Sequence, residues 1–225
     1  GKVNYRAGGE RKAHSLLGSD FLRPFCEGSE AGGAILRCVR YHHGRDLSGA
    51  HLAVDDLAYL VYEADNIAAG ADRRDKADGK ETFSFDPSIC LENVFNVFEG
   101  TKKEEKSYFS LKELDAREEP NYPVRNPSLV ATPGKYQTIV NDLKANFQRK
   151  APQDMEPDEL LRILEDTVSF VPSSTDRNQV ADISLYDHVK MTAAIGTSLF
   201  RYLESQGNHD YKDYCFTHGK DHRRE

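Results

Sequence analysis

Apolar residues recur at three- and four-residue spacing through the first seventy residues and again through the last seventy, but not between them. That period buries one face of an α-helix, so the pattern predicts an all-α domain interrupted by a differently built segment. Residues 10–25 read as a first helix, with Leu17 and Phe21 on one stripe. Residues 34–43 read as a second, with Ile35, Leu36 and Val39 inward and Gly44 as its stop. A third is expected over residues 55–69, with Asp55 as N-cap, Leu57, Leu60, Val61, Ala64 and Ala68 on one side, and Gly70 at its end. Near the C-terminus, Pro157 opens a short helix. Ser184, followed three residues on by Asp187, predicts a capping box for a long helix to about residue 205.

Residues 71–132 open on a charged run and hold Pro87, Pro120, Pro123 and Pro127. Their short apolar pieces (Phe83 and Phe85; Val94 to Phe98; Tyr108, Phe109 and Leu111) predict a loop or small β-ribbon inserted in the helical domain.

Hydrophobic residues make up 38% of the chain and charged residues 30%, the balance of a soluble globular protein. The four cysteines follow no disulfide or metal-site spacing, which suits reduced thiols in the cytoplasm. No apolar run approaches a membrane span, so no membrane partner is expected. The opening Gly1-Lys2-Val3 reads as the interior of a longer protein. Net charge is −7, from 30 basic and 37 acidic residues. That excludes the broad basic footprint of a typical nucleic-acid binder, unless bound metal ions supply positive charge locally.

Certain polar residues lie on the apolar stripes. His14 precedes Leu17 and Phe21 by three and seven residues, and His42 and His43 continue the stripe of Ile35, Leu36 and Val39. Asp65 follows Leu57 and Val61 by eight and four, and His188 precedes Thr192, Ile195 and Leu199 by four, seven and eleven. Any one such histidine is more commonly a hydrogen-bonded core residue, and a lone inward aspartate is more commonly a cap. Five metal-binding groups directed inward from four helices is a different matter. A buried carboxylate needs a cation or several donors, and imidazoles converging with a carboxylate suit a borderline transition metal.

The strings "GERKAHSLLGSDF" around His14, "YHHG" at residues 41–44, "ADNIAAGADRR" at 64–74, "NVFNVF" at 93–98 and "FVPSSTDRNQVADISLYDHVKMTAAI" at 170–195 stand in this order. Together they resemble the N-terminal HD nuclease domain of the large subunit of type III-A CRISPR effector complexes, over nearly the whole chain. The resemblance implies a circularly permuted HD-type helical domain spanning residues 1–225, in which His188 supplies the first ligand and His14, His42, His43 and Asp65 follow. It also implies up to two divalent transition-metal ions (manganese, nickel or cobalt), cleavage of single-stranded DNA, and partnership with guide RNA and other effector subunits through the parent protein. The first three residues resemble the tail of the family's "LLHDIGKV" signature. The family's His-Asp pair is therefore expected just upstream of Gly1, and its loss would impair this chain. The family's palm domains, which carry a GGDD motif and make cyclic oligoadenylate, are expected elsewhere in the parent, because no GGDD string occurs here.

Arg73 and Arg74, just after the Asp65 helix, are secondary candidates for holding a DNA phosphate. A zinc site at Cys215, His218 and His222 lacks an evident fourth ligand and is disfavoured. Asp187, beside His188, is more economically a cap than a group supporting the metal site. Two other functions fit the same residues: a catalytically silent scaffold docking partner subunits, and an HD phosphohydrolase acting on nucleotides.

Overall fold

The computed structural model describes residues 13–72, 86, 88–115, 117–125 and 133–217. Helices α1 (His14–Cys26), α2 (Glu30–Tyr41), α3 (Gly44–Ser48) and α4 (Ala58–Asp72) form the first half. The short α5 (Phe95–Phe98) lies in the irregular middle, and α6 (Pro133–Arg149), α7 (Pro157–Val168) and α8 (Leu185–Ser205) complete an all-α fold. No helix among the described residues is long and apolar enough to cross a membrane.

α4 is the hub. It packs against α2, α3, α8 and a π-type turn at Asp213–Thr217, while α1 lies on α2 and α7 bridges α6 to α8. One buried cluster joins Leu47 of α3, Tyr59, Leu60 and Tyr62 of α4, Leu203 of α8, and Tyr211 and Cys215 beyond it. A second joins Leu111 of the middle segment to Tyr136 and Ile139 of α6, Val168 of α7, Val171 and Tyr186. Phe147 ties α6 back to α1 through Phe21 and Phe25, at ring separations of 6.3 and 5.9 Å.

Several boundaries differ from the sequence expectation, each for a local reason. α2 begins at Glu30 because Ser29 caps it, accepting from the Gly32 amide at 3.0 Å. Gly44 does not stop α2 but opens α3. A Cβ there would stand 3.0 Å from Cε2 of Tyr62, so glycine is what lets α3 lie against α4. Asp56, not Asp55, takes up the helix-start amide of α4: its Oδ1 accepts from Ala58 N at 2.9 Å, while its Oδ2 pairs with Arg37. Leu57, expected to face the core, precedes the first turn and is exposed. Gly70 lies within α4, which continues to Asp72. The expected first-helix residues 10–12 lie outside the described residues.

Among its described residues the middle segment is a loop and holds no β-ribbon, and Phe83 and Phe85 lie outside them. Among the described residues it has only single antiparallel bridges, Glu92 with Tyr108 and Tyr108 with Val124. Side chains take the place of a ladder. Asn96, buried, donates from Nδ2 to Ser107 O at 2.8 Å and accepts from Ser107 N at 3.1 Å, and Glu92 pairs with Lys106 at 2.8 Å. Asn93 Oδ1 meanwhile accepts from Phe95 N at 3.2 Å, turning the expected strand residues into α5.

α6 extends the helical pattern into the middle of the chain, where Tyr136, Ile139, Leu143 and Phe147 hold helical spacing behind Pro133. Ser184 caps α8, its Oγ accepting from Asp187 N at 3.0 Å, and the return bond of the expected box runs from the same hydroxyl, not the Ser184 amide, to Asp187 Oδ2 at 2.7 Å.

The two candidate caps of α4 are separable by mutation. Asp56→Ala should lower the free energy of unfolding by about 1–2 kcal/mol in a urea titration. Asp55→Ala should change it by no more than about 0.5 kcal/mol. Equal losses would show that Asp56 has no special part in starting the helix.

Candidate metal centre

α1 and α2 approach closely because Gly18 has no side chain; a Cβ there would lie 3.1 Å from Cγ1 of Val39. This brings His14, one turn earlier on α1, opposite the end of α2. His42 is the C-cap of α2, and its Nδ1 lies 2.8 Å from the carbonyl oxygen of Val39. A carbonyl only accepts, so Nδ1 of His42 carries a proton, and in the neutral ring it is Nε2 that presents the lone pair. His43 then turns extended (φ −107°, ψ 133°) and caps α3, whose Asp46 and Leu47 amides donate to its carbonyl. That turn sets two consecutive imidazoles side by side, with centroids 4.0 Å apart.

The three histidines converge through one edge. Nε2 of His14 lies 3.0 Å from Nε2 of His42 and 2.7 Å from Nε2 of His43. One ligand atom from each falls within 4.8 Å of the others. A single N–H on His14 can serve only one of its two neighbours, whereas a cation can take a lone pair from all three. A metal held about 2.0–2.1 Å from each nitrogen would space its ligands roughly 3 Å apart, close to the separation of His14 from both of its neighbours. The donor set fits a transition metal.

Asp65 and His188 form a second group beside this one. α4 and α8 come together where Gly196 would carry a Cβ 3.6 Å from the Cβ of Ala64, next to Asp65. His188, in the first turns of α8, places Nε2 3.1 Å from Asp65 Oδ1 across 123 positions of sequence. Burial alone would raise the Asp65 pKa. The hydrogen bond from His188, with the positive character of His42, His188 and His43, outweighs burial and holds it below the ordinary carboxylate value. The histidine cluster is thus within electrostatic reach of the carboxylate.

His14 is exposed as a residue, but its Nε2 edge is crowded by protein and faces two imidazoles. That burial, followed by repulsion from His43 and His42, lowers its pKa from 6.5 to about 4. Neutral imidazole is the form that ligates metals.

Other candidates fall elsewhere. Arg73 and Arg74 lie outside the described residues, as do His218 and His222. Cys215 is fully buried in the core beside Tyr59 and Leu203, and burial pushes its thiol up to about 12. Asp187 is engaged by Ser184 at the helix cap. A groove of about 340 Å³ between α6 and α7, lined by Arg149, Glu159 and Arg162, is remote in sequence from every histidine of the site. Unforeseen from sequence is a polar tie of Ser15, Arg40 and Asp46 around the three histidines. No periodicity marks these residues, because each faces a neighbouring segment instead of a helix stripe.

The lowered His14 pKa has a consequence for the metal-free chain. Between pH 6.5 and about 4 the unfolded chain binds a proton at His14 that the folded chain refuses. Acidification through this window therefore favours unfolding, and the contribution is flat below it. Melting temperature measured in chelator should fall across the window, and His14→Ala should flatten that part of the profile. Parallel profiles for the two proteins would refute the crowding of His14.

No protein-family model matches the chain. It is 35% identical to the subtype III-A CRISPR system single-strand-specific deoxyribonuclease Cas10/Csm1 of Streptococcus thermophilus, over 96% of this chain and 28% of the relative. It is 40% identical to the same protein of Mycobacterium tuberculosis, over 81% of this chain and 22% of the relative. The chain thus spans under a third of the length of these relatives. Among solved structures, Csm1 of T. onnurineus superposes with a TM-score of 0.58 at 26% identity, covering 89% of this chain and 26% of the other. A Csm1–Csm4 cassette in complex with cA4 gives 0.54 at 27% identity, with the same coverage. With 35% identity over 96% of its length to one relative, and a matching fold over 89%, the chain belongs to the Cas10/Csm1 family of subtype III-A CRISPR proteins.

Proposed function

We propose that this chain is the HD-type, metal-dependent nuclease module of a type III-A CRISPR effector protein, acting on single-stranded DNA. The observation that carries the reading is the convergence of His14, His42 and His43 through their Nε2 atoms beside the Asp65–His188 pair. Relatives aligned over 96% and 81% of the chain are single-strand-specific deoxyribonucleases.

The residues present would hold a divalent transition metal such as manganese, nickel or cobalt, with His14, His42 and His43 as nitrogen donors. Asp65 and His188 stand ready for a second ion or for shared coordination. The chemistry such ions supply when bound is activation of water and neutralisation of charge at a phosphodiester. The chain's own residues do the rest. Val39 fixes the His42 tautomer so that Nε2 faces the cluster. Crowding keeps His14 neutral, and His188 keeps Asp65 ionised, so the acidic side chain can offset cationic charge. Arg73 and Arg74 follow α4 directly in sequence and are the candidates for holding the DNA backbone.

In the parent protein we place this module with guide RNA and other effector subunits, in keeping with the Csm1–Csm4 cassettes it resembles. Synthesis of cyclic oligoadenylate belongs to other domains of that parent.

In the intact polypeptide, His43→Ala and His188→Ala should each reduce manganese-dependent cleavage of labelled single-stranded DNA on the order of 100-fold, because each removes a ligand. Chelation should abolish cleavage, and Cys215→Ala should leave the rate unchanged at 25 °C. Undiminished cleavage in chelator would overturn the metal dependence. Hydrolysis of nucleoside triphosphates in place of DNA would assign the site to nucleotide phosphohydrolysis instead.

A further inference from the structure

Asp46 sits where the three histidine-bearing segments meet. Its Oδ2 accepts from Ser15 Oγ at 3.1 Å and from Arg40 Nη1 at 2.6 Å. Ser15 directly follows His14. Arg40 is two residues before His42, and Asp46 is three after His43, with its own amide donating to the His43 carbonyl at 3.0 Å. One carboxylate oxygen therefore joins the start of α1, the last turn of α2 and the first turn of α3.

The start of α1 depends on this bond more than a helix end usually does. Ala13 stands at its N-cap and provides no side-chain hydrogen bond, and no acidic residue lies in its first turn. An uncapped first turn frays, yet that turn carries His14. Ser15 is fully buried, so its hydroxyl has no exchange with water to fall back on. The Gly18–Val39 contact sets the distance between α1 and α2 one turn further along, and Leu47 anchors α3 in the core. Neither engages the ends where the imidazoles project.

We infer that Ser15, Arg40 and Asp46 form a positioning network that sets the spacing of His14, His42 and His43 for metal binding. The inference rests on the metal-centre reading above and adds residues outside the ligand set. Ligand nitrogens 2.7–3.0 Å apart tolerate little drift, and groups supporting metal ligands act on affinity through that spacing. Asp46 is not offered as a ligand.

The test is titration of the 225-residue chain with cobalt(II), followed by its visible absorption and by calorimetry, alongside thermal melts without metal. Ser15→Ala and Asp46→Asn should each weaken cobalt binding by about 10–100-fold. Arg37→Gln is the control. It breaks an ion pair that also leaves α2, but that pair ends on Asp56 at the start of α4, away from the histidines. It should lower the melting temperature while changing cobalt affinity by no more than about twofold. If Arg37→Gln weakens cobalt binding as much as Asp46→Asn does, the effect is general destabilisation and the network has no positioning role. If Ser15→Ala and Asp46→Asn bind cobalt as wild type while His14→Ala does not, the positioning inference falls and the metal centre stands. If His14→Ala binds cobalt as wild type does, the metal-centre reading itself fails.

Discussion

The contact between α4 and α8 is the constraint on which the remaining structure hangs. Leu203 packs with Tyr59 and Tyr62 at one end, Gly196 meets Ala64 in the middle, and His188 meets Asp65 beyond. A helix is a stiff rod rising 1.5 Å per residue. Burial of Leu203 in the core therefore also determines where His188 stands, fifteen residues earlier. The apolar surface supplies the favourable free energy, and the polar pair is carried into place by it. α2 and α3 dock on the same hub, α3 because Gly44 leaves room for the Tyr62 ring. The two groups of candidate ligands are thus neighbours because each is fastened to a face of one helix.

Electrostatics then shapes what that packing assembled. Nε2 of His14 stands 3.0 Å from Nε2 of His42 and 2.7 Å from Nε2 of His43, and burial with repulsion from these rings holds the His14 imidazole below its ordinary pKa. Asp65 experiences the opposite: burial disfavours its charge, but the surrounding histidines more than compensate. Lone pairs and a carboxylate gathered in one place leave room for a cation. On the proposed reading, a chain of net charge −7 meets a polyanion through the positive charge a bound metal would bring.

The middle of the chain follows a different physical rule. Without a long apolar period, the described residues between 88 and 125 are organised by side-chain hydrogen bonds to backbone and to one another, above all through Asn93, Asn96 and Ser107. Such bonds compete with strand pairing. Of the loop or small ribbon expected there, that competition favours the loop, with isolated bridges and a one-turn helix whose Phe95 and Phe98 are exposed.

By itself the sequence determined the helical period of both halves, the Ser184–Asp187 cap, and the residue types able to bind a metal. These depend on neighbours three or four positions apart, so local chemistry suffices. The presence of His and Asp on apolar stripes and the ordered motif strings were legible for the same reason. Tertiary structure decided the rest: that Asp56 and not Asp55 starts α4, that Gly44 serves a ring packed against it, and that Asp46 binds both Ser15 and Arg40. It also decided the partition of five candidates into a three-histidine cluster and an Asp65–His188 pair. Contacts between segments up to 123 positions apart follow from how whole helix faces bury against each other, and no spacing within one helix encodes them.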